Sequence, residues 1–266
     1  MSWSLFDILL SLPAYALVLF RLSGFALVAP VYGSTAIPVR ARGAVILVVA
    51  AMIFPLVSSQ APKEMTLTGV VVGGVGEMMI GAAIGLSLSI LLIGAEVGGK
   101  VVGQQAGLIL GQVFDPMRNQ QASIVGQIYA ITLTLMFLLA GGHRAAMAAV
   151  LDTYTVIPLL SFKFDDSIIL LLIEMLTAAF IMGLRLAAPV TIALFLTATA
   201  LGFLSRTMPQ MNILSVGFLI RVCVALGVAS IALSGCQDLF LNAIWDALEL
   251  IRSAFGLDPS RTGLVT

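Results

Sequence analysis

Charge is what this chain has least of. Thirteen Lys and Arg and thirteen Asp and Glu make up 10% of its 266 residues, where soluble proteins carry roughly 25%. The signs balance to a formal net charge of zero, which excludes an electrostatic footprint for nucleic acid or an acidic substrate. Histidine occurs once, at 143, and cysteine twice, at 223 and 236. Along a helix the two sulfurs lie about 20 Å apart, too far to bridge, and two thiols are too few for a metal cage. A lone His at the end of an apolar span reads as an interface residue before it reads as a ligand. There is no H-E-x-x-H, no G-x-x-x-x-G-K-[ST] and no nucleophile placed with a base and an orienter. Gly73-Gly74-Val75-Gly76 lacks the strand and the lysine of a phosphate cradle. The expectation is a protein without catalytic, metal or cofactor sites. No Lys or Arg precedes Arg21, and Asp7 precedes the first apolar run, so that segment is expected to be retained and not cleaved as a signal peptide.

What is present is apolar: 60% of the residues are hydrophobic and the mean hydropathy is +1.13. Uncharged windows of 18 or more residues recur, which predicts an all-α, polytopic membrane protein. Apolar stretches run over 8–32, 43–62, 65–95 and 120–142, and over 167–205, whose only charges are Glu174 and Arg185. That last run is about 58 Å long as a helix, nearly twice a hydrocarbon core. It therefore either turns near Arg185 to Pro189 or is not embedded as an ordinary span. A polar interval with Asp152, Lys163, Asp165 and Asp166 precedes it, and a polar break between Arg206 and Arg221 separates it from an apolar run over 222–237. Arg40 and Arg42 put the first loop in the cytoplasm by the positive-inside rule, and the N-terminus outside. From Phe240 the pattern turns amphipathic: Phe240, Ile244, Leu248, Ile251 and Phe255 share one helical face. That predicts an interfacial or partner-binding helix, with Trp245 as a surface anchor.

Charges inside apolar stretches carry functional hypotheses. Arg21 either snorkels or pairs with a carboxylate on another subunit. Glu77 follows three glycines and is read as a first-turn residue satisfied by the helix dipole, with conduction or gating as the alternative. Glu96 and Lys100 stand in the favourable i,i+4 order and neutralise each other. Glu174 and Arg185 are too far apart on one helix to pair. Methionine in so apolar a chain is packing material, with Met117 and Met211 set apart because they lie in polar breaks where a compliant side chain could seal.

The stretch from Gly94 to Gln121 turns glycine- and glutamine-rich without becoming a linker. Gly99, Gly103, Gly107 and Gly111 recur at every fourth position, among Gln104, Gln105, Gln112, Gln120 and Gln121, and Phe114-Asp115-Pro116 closes the run. On a helix this spacing clears one flank for close backbone approach. Each glycine costs about 1 kcal/mol relative to Ala in a helix interior, and lipid offers the amides no partner. The segment is expected to face protein or a water-filled cavity.

Several motifs agree on a resemblance. Arg21-Leu22-Ser23-Gly24 is followed by Pro30, Gly33, Ile37-Pro38 and Arg40, and Glu77 by Ile80-Gly81 and Gly85. Gly103-Gln104-Gln105-Ala106-Gly107-Leu108 precedes Asp115-Pro116, Phe137-Leu138 precedes Gly141-Gly142-His143, and Pro209-Gln210 precedes Gly217-Phe218. In this order and over nearly the whole chain, the set resembles the FliR family of flagellar type III export-gate proteins. Two departures stand out: Ala106 replaces a methionine common in the family, and Phe218-Leu219-Ile220 lacks a family proline. The virulence-secretion (injectisome) homologues share much of the pattern, and Gly142-His143 favours the flagellar branch.

The resemblance implies a core subunit of a gate in the bacterial inner membrane, at the flagellar basal body. It would form a pore for unfolded export substrates with FliP and FliQ, with FlhB and FlhA associated. It further implies helical hairpins with broken helices: a FliQ-like hairpin over 1–62, a FliP-like part over 63–239 with a loop at about 96–121, and an amphipathic helix and tail over 240–266. The family's plug loop maps onto Gln104, Gln105, Ala106, Gly107, Leu108, Gly111, Phe114, Asp115, Pro116 and Met117. Assembly or structural roles fall to Arg21, Gly24, Pro38, Arg40, Glu77, Gly81, Gly99, Gly103, His143, Pro209 and Gln210. The rival readings are a small-solute secondary transporter, with Glu77, Glu96 and Glu174 as coupling sites, and a membrane scaffold without gating. No inverted repeat supports the transporter.

Overall fold

The computed structural model describes residues 5–34, 37–57, 66–108, 123–162, 166–208 and 213–258. Their regular structure is helical: α1 (Leu5–Val28), α2 (Val39–Val57), α3 (Leu67–Gln105), α4 (Ile124–Leu139), α5 (Gly142–Val156), α6 (Asp166–Thr207), α7 (Ile213–Gly235) and α8 (Gln237–Ala254). Four of these, α2, α3, α6 and α7, hold windows long and apolar enough to cross a membrane, and α4 with α5 forms a bent pair that together passes the same test. The protein is an all-α polytopic membrane protein.

The helix ends reflect local chemistry. Pro38 stands just before α2 and its carbonyl accepts the Arg42 N–H (3.1 Å), a position where a missing proline N–H costs nothing. The Thr66 hydroxyl accepts the Gly69 N–H (3.2 Å) and the Ser123 hydroxyl accepts the Gly126 N–H (3.3 Å), so α3 and α4 both start on a side-chain cap. Gly141, at φ 75°, separates α4 from α5 in a conformation that suits glycine. Asp238 in the first turn of α8 and Arg252 in its last both complement the helix dipole.

The chain divides into two compact units. The first comprises residues 1–90, 138–175 and 244–266. Its core is built on Leu17, Phe25, Ile80, Ile84, Leu88 and Val150, with Ile244, Leu248, Ile251 and Phe255 of α8 buried as well. α2 lies against α1 through Tyr15, whose hydroxyl donates to the Leu47 carbonyl (3.0 Å) and whose ring meets Phe54 edge-on at 5.7 Å. The second comprises residues 91–137 and 176–243, with Leu91, Val102, Tyr129, Leu133, Leu186 and Val190 at its core. Large apolar side chains of α6, among them Phe180, Phe195 and Phe203, are exposed, as membrane-facing or partner-facing surface would be.

Several expectations change. α6 is one helix of 42 residues with Pro189 inside it, and no turn interrupts it at 185–189. At 1.5 Å per residue it is about 63 Å long, and α3, with 39 residues, about 58 Å, so each is nearly twice the thickness of a bilayer core. The loop expected from about 96 begins ten residues later, because α3 continues to Gln105. The polar interval after His143 is mostly helix, since α5 carries Asp152 and runs to Val156. The apolar face of α8 is buried within the chain and does not lie open at an interface, and Trp245 is half-buried.

Candidate functional site

In the first unit, α1 and α3 touch backbone to backbone. A Cβ at Gly24 would land on the Met78 carbonyl, and one at Gly81 on the Arg21 carbonyl. A Cβ at Gly85 would come within 2.9 Å of both the Ala29 amide and the Phe25 carbonyl. Positions 77, 81 and 85 share one flank of α3, and 21, 24/25 and 29 one flank of α1, as i,i+4 and i,i+3 spacing dictates. Glycines at 24, 81 and 85 therefore let the helices approach closely enough to bring position 21 to position 77.

What that contact holds is an ion pair. Arg21 and Glu77 lie 2.6 Å apart with both side chains at 0% exposure. The Arg21 Nε donates to Glu77 Oε2 (2.6 Å), Nη1 to the Thr153 hydroxyl (2.9 Å) and Nη2 to the Ile157 carbonyl (3.0 Å). Its guanidinium stacks on the Tyr154 ring at 4.1 Å, and the Tyr154 hydroxyl donates to the Val18 carbonyl (3.3 Å). Glu77 Oε1 accepts the Leu160 N–H (3.0 Å). A buried charge is tolerable only with this degree of pairing and hydrogen bonding. Arg21 thus finds its carboxylate in its own chain and not on another subunit. Glu77 is the eleventh residue of α3, so a first-turn dipole role is overturned. Thr153 and Tyr154, which complete the cluster, were hidden in the stretch read as a polar interval.

The three glycines before Glu77 make room for neighbouring side chains, two of them from the segment after α5. A Cβ at Gly73 would strike the Leu160 side chain, one at Gly76 the Phe162 ring (2.9 Å) and one at Gly74 the Phe20 ring (2.8 Å). A second arginine holds α5: Arg252 of α8 donates to Asp152, and its Nε donates to the Asp258 carbonyl (3.1 Å). His143 offers its backbone carbonyl to the Tyr32 hydroxyl (3.4 Å), and burial pushes the Tyr32 phenol above its ordinary pKa. Arg40 and Pro38 are exposed at the start of α2.

The second unit uses glycine differently. A Cβ at Gly98 would sit 2.5 Å from the Gly183 carbonyl oxygen of α6, and one at Gly94 would fall on the Ala179 backbone. Gly99 faces the Gly126 Cα of α4, 2.6 Å from an added Cβ, and Gly103 faces the Ser123 hydroxyl. The cleared surface is therefore two adjacent flanks, one against α6 and one against α4. Gly107 belongs to neither: at φ 82° it ends the helix. Its N–H bonds the Gln104 carbonyl (3.1 Å) and the Leu108 N–H the Gly103 carbonyl (3.1 Å), the pair of bonds of a Schellman turn. Gln104 and Gln105 are exposed and Ala106 is buried. Glu96 and Lys100 pair at 2.8 Å, as their spacing predicts. Gly111, Phe114, Asp115, Pro116 and Met117, and likewise Pro209 and Gln210, lie outside the described residues.

Known proteins resemble this chain over most of its length. The family described as "Bacterial export proteins, family 1" matches residues 12–247. The flagellar biosynthetic protein FliR of Bacillus subtilis is 24% identical over 250 residues, covering 92% of this chain and 95% of that protein. FliR of Caulobacter vibrioides is 25% identical over 88% of this chain and 94% of its own. The surface presentation of antigens protein SpaR of Shigella flexneri is 29% identical, over 56% of this chain and 58% of its own. Because the match runs from within α1 to within α8, well over half of the chain, the chain belongs to family 1 of the bacterial export proteins.

Proposed function

We propose that this chain is a core subunit of the flagellar type III protein export gate in the bacterial inner membrane. In this reading it assembles with FliP and FliQ, with FlhB and FlhA nearby, around a path for unfolded flagellar proteins. The observation that carries it is the near end-to-end match to flagellar FliR proteins, at 92% and 88% of the chain. An injectisome relative aligns over 56% of the chain, as some flagellar relatives do, so the flagellar preference rests on the two near-full-length matches. Two physical features agree. Helices nearly twice the thickness of a bilayer suit a subunit held within a larger assembly. Small residues at backbone contacts suit crowded helical packing.

The stretch Ala106 to Met117 serves in this reading as the plug, entered through the Schellman turn at Gly107. Deleting Ala106–Met117 is expected to leave the complex recoverable and to let small ions leak across the membrane. Co-purification with FliP-like and FliQ-like subunits tests the assembly, and a chain that purifies as a stable monomer and never with them refutes it. A full complex with no added leak refutes the plug alone.

A further inference from the structure

The segment after α5 sits on α3 through a small set of attachments. Leu160 has φ 67°, a left-handed conformation that a γ-branched L-residue avoids when left to itself. Something outside the turn must hold it there. Among the described residues, the polar bonds reaching this turn from other elements are those from the ion pair. Glu77 Oε1 accepts the Leu160 N–H, and Arg21 Nη2 donates to the Ile157 carbonyl. The remaining bonds are internal or to the adjoining helix: Ser161 returns its N–H and hydroxyl to the Pro158 carbonyl (3.1 and 2.6 Å), and Ile157 its N–H to the Thr153 carbonyl (2.8 Å). Leu160 and Phe162 rest in the spaces left by Gly73 and Gly76. The α1–α3 contact beneath is secured separately, by the backbone approach at Gly24, Gly81 and Gly85 and by buried Phe25, Ile80 and Ile84.

We propose that the Arg21–Glu77 pair is a latch and that Ile157–Phe162 is the element it latches: the turn leaves α3 as a unit when the carboxylate is lost, while the α1–α3 contact stays closed. The pair is thus more than a satisfied charge in a core. It couples a strained turn to one buried interaction. A charge that packed generally would stabilise everything around it alike, whereas a latch stabilises one element far more than its neighbours. This holds whether or not the export reading does.

Hydrogen exchange read by mass spectrometry on the full-length chain in detergent separates the two. In Glu77→Ala, amides of 157–162 are expected to exchange at least about tenfold faster than in the unaltered chain, since a charge-assisted bond and its partner are removed. Amides of 78–85 are expected to accelerate at least about tenfold less than those of 157–162. Arg21→Lys keeps the charge but cannot reach Glu77, Thr153 and Ile157 together, so it should raise exchange at 157–162 by about threefold. If Glu77→Ala does not accumulate, Glu77→Gln, which retains an acceptor oxygen without charge, carries the same test. Unchanged exchange at 157–162, or equal acceleration at 157–162 and 78–85, overturns the latch.

Discussion

Both units bring helices into backbone contact through glycine, yet they differ in what the contact holds. In the first unit the α1–α3 contact encloses a fully buried ion pair with its own hydrogen-bond partners. In the second, Gly94, Gly98 and Gly99 meet carbonyls and Cα atoms with no charge between them, and the nearby Glu96–Lys100 pair is partly exposed, at 36% and 44%. Close approach is the shared device. It gains dispersion contact and weak Cα–H···O bonds at the expense of helix propensity. A charge placed beside it brings in a partner 56 positions away, on which the turn at 157–162 depends while the backbone contact itself does not. Uncharged contact depends only on shape.

Five variants break or sharpen this difference. The largest effect is expected from Gly81→Leu, whose side chain must pass through the Arg21 carbonyl. Overpacking costs about 1–3 kcal/mol where neighbours can yield, and backbone here cannot. The variant is expected not to accumulate in membranes, read by immunoblot against the unaltered chain. Next, Glu77→Ala should destabilise by about 3–5 kcal/mol, because it strands a buried guanidinium. Arg21→Met with Glu77→Met should recover most of that loss, since it removes both charges at similar volume. Denaturant melts of the detergent-solubilised protein measure both, and a double variant as damaged as the single would mean that the pair is not the source of the cost.

In the second unit, Gly98→Ala should cost about 1–3 kcal/mol in the same assay, because the added methyl would sit 2.5 Å from the Gly183 carbonyl oxygen and backbone must move to admit it. A loss matching that of Glu77→Ala would erase the distinction between a contact that encloses a charge and one that depends only on shape. The smallest effect is expected from Glu96→Gln, at no more than about 0.5 kcal/mol, because water screens the pair.

The legible parts of the molecule were those set by local periodicity. The apolar runs gave the helices, the spacing of Phe240 to Phe255 gave the buried face of α8, and i,i+4 order gave the Glu96–Lys100 pair. The Arg21–Glu77 pair was not legible, because nothing within either segment specifies a partner on another helix. Its neighbours were hidden by hydropathy: Asp152, Thr153, Tyr154 and Thr155 lower the local average, so a helix reads as a gap. Pro189 misled in the opposite direction. Proline removes one intrahelical bond and clashes with the preceding turn, which suggests a break, yet α6 carries it without one. Gly107 fitted the four-residue spacing by position while serving another end, since spacing alone does not distinguish a packed glycine from one with positive φ.

The two ends of residues 109–122 are tied to a single point. Leu108, before them, bonds the Gly103 carbonyl, and Ser123, after them, rests its hydroxyl against Gly103 and donates to the Gly99 carbonyl (3.3 Å). Leu108 and Ser123 are therefore both anchored on one turn of α3. Closing a flexible chain between two such fixed points costs only on the order of 0.6 kcal/mol more per doubling of its length. Neither flanking helix has to shift its register when that length changes. A change in the length of chain between these two anchors thus leaves the anchoring turn where it is, and the register of α3 against α4 is set by Gly99 and Gly103 and not by what lies between.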